Sequence, residues 1–158
     1  MISRDDVMRI ARAEIGVEED PLKSNSGPRV NEYLASVGLG PGNPWCAAFT
    51  YWVYQNASGV QENPLPKTGY TPSLYQWGVK HERMVAAHDA RPGDLVLFYS
   101  SHLGRIAHVG IVGQVTQSGL LWSIEGNTNS DGSREGYEVC RKCRPLSDKF
   151  HFVNAVGD

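Results

Sequence analysis

Long apolar runs are missing from this 158-residue chain, and none approaches the roughly 18 residues that would raise the question of a membrane span. The N-terminus, Met-Ile-Ser-Arg-Asp-Asp, runs straight into a mixed polar and apolar pattern without the uninterrupted apolar core of an export signal. The expectation is a protein with no signal peptide and no membrane partner. An excess of positive charge is missing too: 15 Lys and Arg stand against 17 Asp and Glu, a net charge of −2. No basic field exists to hold a phosphate backbone, so nucleic acid is not an expected partner. Cysteine is scarce and odd in number, and three thiols cannot all pair within one chain. At least one is free or pairs with another molecule. Internal repeats, low-complexity tracts and dividing linkers are absent as well, which suits one domain over residues 1–158.

What is present is ordinary globular composition, 41% hydrophobic and 20% charged, arranged in two halves of different period. From Arg4 to Ile15 the apolar positions Val7, Met8, Ile10, Ala11 and Ile15 recur at helical spacing behind a Ser3, Asp5, Asp6 start. Val30, Tyr33, Leu34 and Val37 repeat the pattern after Pro28 and stop at Gly38. The segment 38–44 is too rich in Gly and Pro for regular structure. It is followed by Trp45 to Tyr54, apolar almost all round, which predicts a buried helix starting at or beside Cys46. Thr71 to Lys80, opened by Thr71-Pro72, reads as one more short helix.

Beyond residue 90 the signal becomes short β-rich runs: Asp94 to Tyr99, Ile106 to Val115, Leu120 to Glu125, Tyr137 to Cys143 and Phe150 to Val153. Helices first and strands second predict an α+β domain, its N-terminal helices packed on a C-terminal antiparallel β-sheet.

Cys46 opens the apolar helix, where unpaired N–H groups and the positive dipole end favour a thiolate. A buried cysteine acting as a small hydrophobe is the competing reading. A thiolate catalyst needs an imidazole, and five histidines are available. His108 lies inside an apolar strand, where a polar ring must find a specific partner. His102, in a Ser/Gly connection, is the second choice and reads equally as an exposed loop residue. His81, His88 and His151 have no functional case. On the next strand Ser123, Glu125 and Asn127 alternate onto one face, so Glu125 or Asn127 can supply an acceptor for the far nitrogen of the imidazole.

The segments Asn43-Pro-Trp-Cys46-Ala-Ala-Phe49, Arg91-Pro-Gly-Asp-Leu-Val-Leu-Phe98, His108-Val-Gly-Ile-Val112 and Ile124-Glu-Gly-Asn127, in this order and spacing, resemble the CHAP family of cysteine, histidine-dependent amidohydrolases/peptidases. The resemblance runs over most of the chain and implies a papain-like fold. It also implies a peptidoglycan hydrolase that cuts either the N-acetylmuramoyl-L-alanine amide or a stem or cross-link peptide bond. By the same resemblance Cys46 is the nucleophile, His108 the base, Glu125 its orienter and Asn127 a further polar residue of the site. Bacterial peptidoglycan is then the expected partner, and no cofactor is implied. The backbone N–H of Cys46 is the natural oxyanion donor, with Asn43 as the nearest side-chain candidate. Trp45 reads either as a wall of the substrate groove or as core.

Two metal readings stand beside blander ones. Cys140 and Cys143 form a CxxC without a second ligand pair, and on a strand they face opposite ways, so no zinc site is expected. Asn127 to Glu138 matches the spacing of a calcium loop but carries few carboxylates and lies between strands; no metal is expected there either. The competing functions are a papain-like protease acting on proteins, a non-catalytic wall-binding module, and a redox sensor built on Cys140 and Cys143. A wall enzyme without an export signal implies delivery from elsewhere, as in a phage lysin or a secreted antibacterial effector acting in the periplasm. An effector would imply an inhibitory immunity protein as partner. A monomer is expected.

Overall fold

The computed structural model describes residues 2–128 and 136–158. Among the described residues four α-helices, α1 (Arg4–Ala13), α2 (Pro28–Ser36), α3 (Cys46–Ser58) and α4 (Thr71–Lys80), precede a six-stranded sheet. Its strands are β1 (Met84–Val85), β2 (Leu95–Ser100), β3 (Arg105–Val115), β4 (Leu120–Thr128), β5 (Glu138–Pro145) and β6 (Phe150–Val153). The spatial order is β1-β6-β2-β3-β4-β5, and every pairing is antiparallel. The expected α+β architecture is therefore the observed one.

α1 starts where its sequence signals: the Ser3 side chain accepts from the Asp6 N–H, with Asp5 and Asp6 in the first turn. It ends two residues before the expected Ile15, which is left exposed. The chain leaves the helix there because Glu14 turns inward to accept from the Tyr33 hydroxyl, 2.8 Å, and to pair with Arg29, 2.9 Å. β1, only two residues long and without a period to read, was not expected and pairs with β6 at the sheet edge.

α3 lies against the sheet with Cys46, Ala47, Ala48, Phe49, Thr50, Val53 and Tyr54 all buried. It meets Val109 and Ile111 of β3, Ile124 of β4 and Val139 of β5 in the main core. The opposite face of the sheet carries a smaller cluster of Val96, Val112, Leu121 and Phe152, on which Phe98 and Phe150 pack. This second cluster explains why β4 is buried along nearly its whole length, where a strand with one wet face would alternate.

The Arg91-Pro-Gly-Asp94 turn is a structural junction. Asp94, 1% exposed, accepts from the Arg91 N–H and from the Arg4 guanidinium, 2.8 and 2.7 Å. The Tyr54 hydroxyl donates to the Gly93 carbonyl. One turn thus fastens the start of α1 and the far end of α3 to the start of β2.

Candidate active site

The site begins where the sheet stops. β3 and β4 are paired from Val115–Leu121 only as far as Ile111–Ile124. Continued by two residues, that register would bring Val109 opposite Gly126. The start of α3 takes that place instead. The Cys46 sulfur accepts from the N–H of Val109, and the Trp45 N–H donates to Asn127 Oδ1 across 2.9 Å. The Val109 ladder N–H is thereby satisfied by the helix rather than by a strand, and the Trp45 N–H by a β4 side chain, as buried backbone polar groups must be. Gly126 makes the approach possible: a Cβ there would lie 2.8 Å from Trp45 and 3.0 Å from Phe49.

His108 precedes Val109 on β3, beside a bulge that sets Phe98 opposite His108 but Tyr99 opposite Ile106. Its Nε2 lies 2.8 Å from Glu125 Oε1 on β4, and its ring stacks on Phe98 at 5.4 Å. It also hydrogen-bonds the Cys46 thiol. With Nε2 committed to Glu125, Nδ1 is the nitrogen left to face the sulfur. Glu125 is fully buried and fully occupied: it accepts from His108, from the Ser123 hydroxyl, and from Arg144 Nε and Nη2 at 3.0 and 2.7 Å. Its chain passes over Gly110, where a Cβ would come within 2.6 Å of Glu125 Cγ.

Charge is distributed accordingly. Burial pushes the Cys46 thiol up, but the hydrogen bond and charge of His108, with the N–H groups of Val109 and Ala47, outweigh it and bring the thiol below its ordinary range. Burial pushes His108 down, and its bonds to Cys46 and Glu125 outweigh that, raising it to about 9. Glu125 is pushed up by burial and held down to about 2 by His108 and Arg144. These directions favour a thiolate, an imidazolium and a carboxylate in line.

The structure brings together Cys46, His108 and Glu125, as the spacing predicts, with Ser123 on the same face as Glu125. Asn127, next to last in β4, has a left-handed conformation, φ 56°. It lines the groove, but its amide serves the scaffold: Oδ1 accepts from Trp45, and Nδ2 donates to the Gly136 carbonyl at 2.7 Å and to Asn25 Oδ1 at 3.3 Å. Asn43 also lines the groove, with one amide hydrogen on the Gly40 carbonyl, 2.9 Å.

The groove-wall reading of Trp45 is corrected. Its side chain is 0% exposed, stacked on Tyr33 at 5.6 Å, and it belongs to the core because it packs into the space that Gly126 leaves open. The other histidines lie elsewhere: His102 in an exposed turn, His88 beside Asp89, His81 against Trp77 and His151 against Tyr75. Cys140 sits opposite Glu125 and Cys143 opposite Trp122, so the two thiols point to opposite faces of β5. Burial pushes the Cys140 thiol up to about 11. Of the calcium-loop segment Asn127 to Glu138, residues 129–135 lie outside the described residues.

One member of the site, and one buried neighbour of the groove residue Asn25, were not readable from the sequence. Arg144 lies diagonally across the β4–β5 register, where Leu121 faces Arg144 and Ser123 faces Lys142; only a known register points to it. Glu19, 4% exposed, accepts from the Asn25 N–H at 2.9 Å, and burial raises its carboxyl against that bond. Its position in an acidic, loop-like stretch gave no signal.

Helices ahead of an antiparallel sheet, with a cysteine at the start of the buried helix and a histidine and a carboxylate on facing strands, define a papain-like α+β domain. Within that class the chain belongs to the CHAP family, whose domain model matches residues 38–127. Among solved structures it is similar to an N-acetylmuramoyl-L-alanine amidase from Staphylococcus aureus, with 12% identity and a TM-score of 0.46 over 72% of this chain. The chain spans 31% of that protein's length. Comparison with curated proteins gives no significant match.

Proposed function

We propose that this domain is a peptidoglycan hydrolase that cleaves an amide bond through a cysteine thiolate. The observation that carries the reading is the relay itself: Cys46 at a helix start, hydrogen-bonded to His108, whose Nε2 stands 2.8 Å from buried Glu125. Membership of the CHAP family supports an amidase or peptidase.

In this mechanism the Cys46 thiolate attacks the amide carbonyl, and the oxyanion formed meets the N–H groups at the start of α3. The His108 imidazolium gives its Nδ1 proton to the leaving amine, the C–N bond breaks and a thioester remains. Water then attacks the thioester carbonyl as His108 takes its proton. The C–S bond breaks, releasing the carboxylic acid and restoring thiolate and imidazolium. Glu125 holds the ring and stabilises its charge without taking the proton, because Arg144 and Ser123 already fill its other lone pairs. The wall is the site of action on this reading, as for a phage lysin or a secreted antibacterial effector.

The test is digestion of purified peptidoglycan, with the released fragments identified by mass spectrometry. Wild type should release fragments that fix the bond cut. Cys46→Ala and His108→Ala should release none while remaining folded, and Glu125→Gln should keep more activity than either, since an amide oxygen still accepts from the ring. Digestion by Cys46→Ala, or loss of digestion to a chelator but not to alkylation, would mean metal-assisted hydrolysis instead.

A further inference from the structure

The groove over Cys46 and His108 encloses about 590 Å³, and its walls differ in chemistry. One presents neutral amides, those of Asn25, Asn43 and Asn127. The other is formed by residues 67–71 with Arg105 and Ala107 and brings in two cations, Lys67 and Arg105. Among the described residues no Asp or Glu lines the groove, although the whole chain carries a net charge of −2. With cations and no lining carboxylate, the groove is locally positive against the overall balance. Elsewhere Arg4, Arg29, Arg91 and Arg144 each meet a carboxylate within 3 Å, whereas neither Lys67 nor Arg105 has one among the described residues. Arg105 is nonetheless held in place. Its Nη1 donates to the Ile106 carbonyl at 2.9 Å, and its guanidinium lies over the exposed Tyr70 ring at 5.6 Å. A guanidinium seated on an aromatic ring, with most of its five donors unused, is prepared for a planar anion.

We propose that Arg105 and Lys67 form a carboxylate-binding subsite that takes a free carboxyl group of the peptide flanking the amide to be cut. The proposal rests on the peptidoglycan reading above. Stem peptides contain dicarboxylic residues, and a carboxyl group left outside the chain is either free or amidated. A free carboxylate accepts two parallel bonds from Arg105 and the charge of Lys67; a primary amide turns N–H donors towards donors and loses the charge. Preference for the free acid should reach about tenfold or more, as charge-assisted hydrogen bonds in a partly enclosed groove imply.

The probes are two soluble muramyl peptides bearing an L-Ala-γ-D-Glu-diaminopimelate stem, one with its side carboxyls free and one with them amidated. kcat/KM is measured for wild type, Lys67→Gln, Arg105→Gln and the double variant, and equilibrium binding of both peptides is measured on Cys46→Ala. The free acid should win by about tenfold or more in wild-type kcat/KM, through KM, and in binding to Cys46→Ala. The ratio should shrink in each single variant and approach one in the double variant, whatever its absolute rate. Equal handling of the two peptides by wild type and equal binding to Cys46→Ala, or a ratio unchanged in the double variant, overturns the subsite. Should wild type cut neither peptide nor peptidoglycan, the hydrolase reading falls, and the binding ratio on Cys46→Ala still decides the subsite on its own.

Discussion

Removing the His108 ring should move the titration of Cys46 upward. In the native site the largest influence on the thiol is burial, which raises it, and the net depression exists only because the His108 hydrogen bond and charge act together with the N–H groups of Val109 and Ala47. His108→Ala deletes the first two and leaves burial opposed by two amides. The thiol should then return to its ordinary 9.0 or pass it. A thiol titrating near 9 is about 1% ionised at pH 7, so the variant's labelling at neutral pH should be slower than that of the wild-type site, whose thiol is held below that range. The assay is the rate of iodoacetamide labelling at Cys46, followed by mass spectrometry from pH 4 to about pH 10.5. Because the substitution also opens space beside the sulfur, the informative quantity is the midpoint of the rate–pH curve rather than any single rate. On the proposed mechanism wild-type turnover should show an opposite limb, falling as His108, raised to about 9, loses its proton. A His108→Ala midpoint equal to or below that of wild type would refute the argument that His108 is what makes this thiol acidic.

Arg144→Met should leave buried Glu125 with His108 as its remaining charged partner; the Glu125 depression from 4.5 to about 2, on the order of 3 kcal/mol and owed to His108 first and Arg144 second, stabilises the fold above pH 4.5 and is lost as pH falls towards 2. Acid unfolding monitored by tryptophan fluorescence should therefore begin at higher pH in Arg144→Met, and an unchanged midpoint would count against the pairing. Gly126→Ala should force Trp45 and Phe49 off the sheet, costing about 1–3 kcal/mol, a few to about 10 °C in Tm, and displacing Cys46 from His108. A calorimetric scan and a digestion assay check both effects. The double variant Cys140→Ser, Cys143→Ser should digest peptidoglycan at close to the wild-type rate, because neither thiol touches Cys46 or His108; loss of activity in a folded variant would contradict that.

Local pattern carried the parts of this fold that local forces determine. Helical spacing at Val30, Tyr33 and Leu34 and the all-round apolar run after Trp45 report faces that are buried whatever they pack against, and the structure buries them. Alternation on β4 likewise put Ser123 and Glu125 on one face before any partner strand was known. Arg144 is different in kind. Its role follows from a register in which Leu121, not Glu125, stands opposite it, and no periodicity within β5 encodes a diagonal contact to another strand. Trp45 failed for a related reason: whether an aromatic at a helix start is wall or core depends on what faces it, and what faces it is a glycine 81 positions away.

Gly110 and Gly126 show why chemistry and fold are one problem in this domain. A sheet that continued its β3–β4 ladder past Ile111 and Ile124 would satisfy the Val109 N–H with a strand carbonyl and exclude the helix. The missing side chain of Gly126 admits Trp45 and Phe49 instead, so the helix start enters the gap and the freed N–H becomes a donor to sulfur. On the other face, the missing side chain of Gly110 lets Glu125 lie across β3 towards the ring of His108. Each glycine thus trades a packing contact for an approach that the relay needs, one to the thiol and one to the imidazole. The trade is stable because Asn127 caps Trp45, and Arg144 with Ser123 fills the remaining lone pairs of Glu125. An interrupted ladder whose freed Val109 N–H is taken up by sulfur costs little, and it leaves the Cys46 sulfur where a helix start, a strand donor and the His108 ring converge.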